Sequence, residues 1–274
     1  MRRVLRLASV LLLAASGASA GEVTVAVAAN AAEAVEALAA DFEQRTGHRV
    51  TVTVGSTGKL YAQILHGAPF DVFLAADQER PRLLVEQGLA VEGSRLTYAV
   101  GRLVLWSPDA EVDAAHTLRA GSFRRLAIAN PDLAPYGAAA RDVLSELGLW
   151  ESLRSKIVVG ENVGQSFTMA ASGNAELGFV ALSSVLSQGG SYWEVPPETY
   201  SPIRQDAVLL DRAGGNTAAR AFHLFLGSAT ALATIESFGF IVGRAVGPLD
   251  GSQPGFSSGG YNRRRPIHAH ARTR

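Results

Sequence analysis

Four times in this chain an apolar run rich in β-branched or small residues meets the start of a helical pattern across a short turn. The junctions are VTVAVAAN at 23–30, VTVTVGSTG at 50–58, NPDLAPYG at 130–137 and GENVGQS at 160–166. A strand that feeds a helix in this way aims the unpaired N–H groups of the first helical turn, and the positive end of the helix dipole, out of a sheet edge. Such ends bind anions. Four of them without a catalytic cluster nearby predict a protein that grips an oxyanion rather than transforms one.

Between these junctions, short β-rich runs alternate with helical patterns, which predicts an α/β fold with parallel strands. Strands are expected at 23–29, 50–54, 71–75, 126–129, 156–159, 176–180 and 207–210. Asn30-Ala-Ala-Glu33 reads as a capping box that opens a helix to about Arg45. A short helix is expected at 60–65, another from a cap at Asp77 through Glu86, and two more at 217–226 and 229–237. The alternation breaks twice, at TYAVGRLVLWS (97–107), which reads as a long strand or crossing segment, and at the Pro-rich VPPETYSP (195–202). Two α/β halves follow, with the second inserted into the first.

With 274 residues, 47% of them hydrophobic, the chain is long enough for one large or two medium domains. Residues 1–20 stand apart. Arg2, Arg3 and Arg6 form a basic start, an apolar run follows, and Ala18-Ser19-Ala20 fits a cleavage site, so a cleaved signal peptide is expected. The apolar run falls short of the roughly 20 residues of a spanning helix. No cysteine is present, so disulfides, thiolate metal sites, a cysteine nucleophile and lipid attachment at the cleavage point have no side chain to use. A soluble, non-anchored periplasmic protein is the expectation.

The 25 basic residues equal the 25 acidic ones in number, but not in distribution. With the leader arginines removed, and with them a tail from Gly247 that carries five arginines and one aspartate, the body is at about −7. An acidic body argues against nucleic acid as a partner. Any anion site must then work through local dipoles, because the net field opposes it. Residues 247–274, rich in Gly, Ser, Pro and Arg, are expected to be disordered, and His268 and His270 within them make a poor metal site.

Singly, the junction residues admit ordinary readings. Asn30 alone is more often a plain helix cap, although a cap at an exposed strand end leaves the next N–H groups free. GSTGK at 55–59 lacks the earlier glycine and the following Ser or Thr of a phosphate loop, which leaves a tight turn presenting Ser56 and Thr57. Lys59 reads as a solvated helix residue. Tyr136 alone could be a core aromatic, beside a glycine that permits close backbone approach. A hydrolase finds no support, since there is neither a G-x-S-x-G elbow nor an H-E-x-x-H pair.

Taken in order, VAAN, GSTGKLYAQI with GAPFDVFLAAD, GRLVLWS, NPDLAPYG, and ENVGQS with ELGFVAL resemble the periplasmic molybdate-binding proteins of ABC transporters, over about residues 23–243. The resemblance implies the type II, two-lobe periplasmic binding-protein fold, each lobe a mixed sheet flanked by helices, with the ligand in the interlobe cleft. Residues 21–99 with 205–246 would form lobe I and 100–204 lobe II, with chain crossings near 98–101 and 202–205. Carried over by motif, the oxyanion contacts fall on Asn30 and Thr57 of one lobe and on Tyr136 and Val163 of the other, the last two through backbone N–H groups. Ala29 and Ser56 are weaker candidates. Ala29 stands where some members place a hydroxyl, and Ala181 where others place a tyrosine.

The same resemblance implies a receptor, not an enzyme, that captures molybdate, and tungstate with it, and delivers it to an ABC permease. Sulfate or another tetrahedral oxyanion is the alternative ligand, and a secreted α/β hydrolase the distant alternative. No cofactor is implied, molybdenum enters only as the bound oxyanion with no protein atom on the metal, and a monomer is expected. Molybdate and sulfate are fully ionised at neutral pH and require only donors, whereas phosphate also wants an acceptor for its proton. From composition alone, deleting residues 247–274 is expected to leave oxyanion affinity and melting temperature unchanged, because the segment has too little apolar surface to join a core. A large loss of either in calorimetry would show that the tail docks on the body.

Overall fold

The computed structural model describes residues 20–243; the expected signal peptide, apart from its last residue, and the basic tail lie outside the described residues. β1 (Glu22–Ala28) is apolar because it is covered on both faces. Val23, Val25 and Val27 enter one core, Ala26 enters another, and all four are fully buried. A central strand flanked by parallel neighbours requires such a run. β2 (Arg49–Gly55), β3 (Val72–Leu74) and β4 (Leu96–Gly101) follow in the same half of the molecule. At Arg102 the chain leaves this sheet and builds β5 (Leu103–Ser107), β6 (Leu126–Ala129), β7 (Ile157–Gly160), β8 (Leu177–Ala181) and β9 (Ser191–Glu194), before returning as β10 (Ile203–Leu209).

Two five-stranded mixed sheets result, in the orders β2-β1-β3-β10-β4 and β7-β6-β8-β5-β9. In the first, β1 runs parallel to β2 and β3, and β10 antiparallel to β3 and β4. The second repeats the scheme, with β6 parallel to β7 and β8, and β5 antiparallel to β8 and β9. The segment expected as a long strand or a crossing is a crossing, made of two strands with one in each sheet. Gly101 pairs with Ile203, so the expected lobe boundaries at 99/100 and 204/205 fall inside β4 and β10, which both belong to the first sheet.

Helices α1 (Ala32–Thr46), α2 (Thr57–Leu65) and α3 (Glu79–Glu86) flank the first sheet. α4 (Ala114–Ala120), α5 (Pro135–Glu146), α6 (Trp150–Leu153) and α7 (Val163–Ala171) serve the second, and α8 (Thr217–Leu226) and α9 (Ala229–Ser237) return to the first. Leu38 and Phe42 of α1 pack with Phe222 and Ile235 on one face of the first sheet, while Leu60, Ile64 and Leu84 cover Phe73 on the other. In the second sheet, Leu118, Val143 and Leu144 close over Leu105 and Ile128, with Ala170 on the opposite face beside Trp106 and Val180. α8 and α9 keep the bounds expected from the sequence. No single helix among the described residues is long and apolar enough to cross a membrane.

The returning strand carries a fully buried carboxylate. Asp206 Oδ1 accepts from Thr97 Oγ1 at 2.6 Å and from Gln78 Nε2 at 3.0 Å, and Arg95 Nε lies 3.1 Å from Oδ2. These groups tie β10 to β4 and to the residue that precedes α3. Asp206→Ala would remove the acceptor shared by Thr97 and Gln78 and the carboxylate paired with the partly exposed Arg95, and is expected to cost about 1–3 kcal/mol in urea unfolding. A loss below about 1 kcal/mol would show that this network does not hold the two strands together.

Candidate functional site

All four junctions open onto one small cavity between the two sheets. Ala28, Ala29 and Asn30 reach it from the end of β1, Gly55, Ser56 and Thr57 from β2, and Ala76 from just beyond β3. Ala134, Pro135 and Tyr136 enter from the start of α5, and Asn162 and Val163 from the start of α7. Every residue expected at the site therefore lines the same cavity: Asn30, Thr57, Tyr136, Val163, and the weaker candidates Ala29 and Ser56. Ala181, at the end of β8, is buried in the second core and is not among the lining residues.

Local sequence places these groups. Pro135 occupies the first turn of α5, where its missing N–H costs nothing. Gly137 follows because a Cβ there would overlap the Ala129 carbonyl oxygen, so the helix start can lie directly over the end of β6. Asn162 caps α7, its Oδ1 accepting the Gln165 N–H at 3.0 Å, which leaves the Val163 N–H at the first helical position. Asn30 behaves differently from the capping box that the sequence predicts. A 3-10 turn at Ala29–Ala31 precedes α1, whose first residue follows Ala31 without any side-chain cap. Asn30 Nδ2 instead donates to Gln205 Oε1 at 2.9 Å, a partner 175 positions away.

The hydroxyls differ as well. Thr57 Oγ1 accepts the Ala76 N–H at 3.0 Å and keeps its own proton to donate. Ser56 Oγ is buried with no partner in the protein, and so is Tyr136 Oη. Burial pushes the Tyr136 hydroxyl well above the usual phenol range, Tyr200 adds to that, and the facing amides of Gln205 and Asn30 act against it. Tyr136 is thus a neutral donor at physiological pH. No charged side chain lines the cavity, neither a cation to compensate an anion nor a carboxylate to accept a proton from one. Buried polar groups without partners are uncommon in folded proteins and mark a place where something else supplies the acceptor. A fully ionised tetrahedral oxyanion has that chemistry.

The two sides are drawn together around the cavity. Gly58 N–H, in the first turn of α2, donates to the Leu133 carbonyl at 2.8 Å. Ser183 Oγ donates to the Asn30 carbonyl at 2.7 Å, and Lys59 Nζ pairs with Glu161 at 2.8 Å. Lys59, expected as a solvated residue, is half exposed but bridges the cleft. Gln205, Tyr98, Ser183 and Leu133 were not expected as partners of the cavity residues, since each takes part through a long-range contact. The one local signal was the polar pair Gln205-Asp206 ahead of an apolar strand. A larger, more open depression is lined by Asp142, Glu146 and Glu198 among others, and those carboxylates repel anions. Among the described residues no cluster of three or more His, Asp or Glu could hold a metal ion.

The family model for bacterial extracellular solute-binding proteins matches residues 23–241, and the chain belongs to that family. It is 49% identical over 226 residues to the molybdate-binding protein ModA of Rhodobacter capsulatus, covering 82% of this chain and 90% of that one. With the molybdate-binding protein ModA of Azotobacter vinelandii the identity is 49% over 234 residues, covering 83% and 93%. The solved periplasmic molybdate-binding protein of Azotobacter vinelandii superposes with a TM-score of 0.78 at 40% identity, over 81% of this chain and 100% of that one. The architecture is the type II periplasmic binding-protein fold.

Ser56→Ala removes a cavity hydroxyl that has no hydrogen-bond partner in the protein. It is expected to weaken tetrahedral oxyanion binding by about 1–3 kcal/mol in titration calorimetry. The ligand-free melting temperature should stay level or rise, since an unsatisfied buried group is deleted. Unchanged affinity would take Ser56 out of the site.

Proposed function

We propose that the protein is a periplasmic receptor that captures molybdate, and tungstate with it, in the interlobe cavity and hands it to the permease of an ABC transporter. The observation that carries this reading is the convergence of four chain junctions on one cavity free of charged side chains, with a buried Ser56 hydroxyl that lacks any acceptor. The molybdate-binding relatives at 49% identity support the choice of ion. In this reading Asn30, Ser56 and Thr57 contact the ion from lobe I, and Tyr136 and Val163 from lobe II. The strands at 22–101 and 203–209 form the first lobe and those at 103–194 the second. The chain enters the periplasm behind a cleaved leader, carries no lipid anchor, and works as a monomer without cofactor or covalent chemistry.

Energetically, neutral donors suffice. A hydrogen bond to a charged group contributes about 1.5–3 kcal/mol, so five or six of them in a closed cavity reach the roughly 8–12 kcal/mol of micromolar-to-nanomolar binding after ordering costs. Selection against sulfate comes from cavity size, because the metal–oxygen bonds are longer. Selection against phosphate comes from the missing proton acceptor.

Calorimetry of the mature chain against molybdate, tungstate, sulfate and phosphate tests the reading. Molybdate and tungstate are expected to bind at least about tenfold more tightly than sulfate, and phosphate not measurably. Molybdate should also compact the protein in solution scattering and raise its melting temperature, because only the closed state offers donors from both lobes. Sulfate or phosphate binding more tightly than molybdate would overturn the assignment of the ion. Tight binding with an unchanged scattering profile would replace closure by a preformed pocket.

A further inference from the structure

Gln205 lies at the strand irregularity where the chain returns from the second sheet. Gln205 pairs with Ala99 and Asp206 with Thr97, so the ladder skips Tyr98. Bulges of this kind re-aim side chains. Asp206 serves the network that holds β10 to β4, but Gln205, fully buried, has no part in it. Gln205 Oε1 instead receives Asn30 Nδ2 and Tyr98 Oη, each at 2.9 Å. Gln205 Nε2 is buried without an acceptor. Tyr136 Oη, from α5, stands at the same spot, since a side chain at Gly101 would collide with both Tyr136 Oη and Gln205 Nε2. One amide at the chain crossing therefore grips a cavity residue of the first lobe and faces a cavity residue of the second.

We propose that Gln205 is a positioning residue for the oxyanion cavity, pinning the Ala29–Ala31 turn through the Asn30 amide and seating the Tyr136 hydroxyl when the lobes close. This rests on the anion-binding reading of the cavity. The Asn30 side chain is engaged with Gln205, so what the turn offers a ligand is the N–H groups at its start, which have no acceptor within the turn. Their direction depends on how the turn is held, and the Asn30–Gln205 bond fixes it from beneath. Gln205 does not line the cavity and acts only through Asn30 and Tyr136.

Molybdate titrations of the mature wild type, Gln205→Met, Asn30→Ala and the double variant test this. Gln205→Met is expected to bind about tenfold or more weakly. The double variant should match the weaker single variant within about twofold, because both substitutions cut the same link. A merely structural loss would add to that of Asn30→Ala instead of merging with it.

Gln205→Glu gives a second measurement that does not depend on how Gln205→Met folds. The introduced carboxyl would face the Tyr98 and Tyr136 hydroxyls and the Asn30 amide, with the Asp206 carboxylate and Arg95 on the neighbouring residue's network. Its ionisation would oppose the anion, so affinity should fall by about threefold or more from pH 6 to pH 9, against a flat wild-type profile. Wild-type affinity in Gln205→Met, additive effects in the double variant, or a flat profile in Gln205→Glu would each overturn the inference while leaving the cavity reading intact. Failure of the wild type to bind molybdate, tungstate, sulfate or phosphate would overturn both.

Discussion

The first N–H groups of a helix have no partner within it, and this fold brings the starts of several helices to one point. Each of the four junctions ends a strand and begins a helix or helical turn on the same cavity, so the two sheets act as a frame that converges donors. Because no side chain there is charged, those donors and the hydroxyls of Ser56, Thr57 and Tyr136 are what the cavity offers an anion. The body as a whole is acidic, but its field is screened over about 8–10 Å at ordinary ionic strength, while the donors act at contact distance. Local geometry therefore outweighs net charge.

How far this was legible in the sequence depended on the range of the interaction. α8 and α9 could be bounded from the chain alone, because Asn216 and Ser228 cap them locally, each side chain accepting N–H groups two or three residues ahead. β9 was not foreseen, since SYWE is a half-exposed edge strand with only a weak alternation. Asn30 read as a cap for sound local reasons, yet its amide was claimed by Gln205 from the far side of the inserted lobe. The starts of α5 and α7 were legible because a proline, a glycine and an asparagine mark them directly.

Gln205 and Asp206 show where local reasoning fails. Two polar residues at the start of an apolar strand look like the rim of a sheet, but both are fully buried. Their partners come from β4, from the approach to α3 and from the turn after β1, which only the closed topology assembles. The irregularity between them lets adjacent residues serve different networks, one that binds strands together and one that reaches the cavity.

The bond from Gly58 N–H to the Leu133 carbonyl has a consequence of another kind. Both atoms belong to the main chain, so the contact is indifferent to which side chain stands at position 133. Evolutionary drift can reshape the cavity wall without rebuilding the contact that closes it. A scaffold bolted through peptide groups keeps its mechanical action while its side chains change, which leaves ion preference free to diverge among descendants of the same architecture.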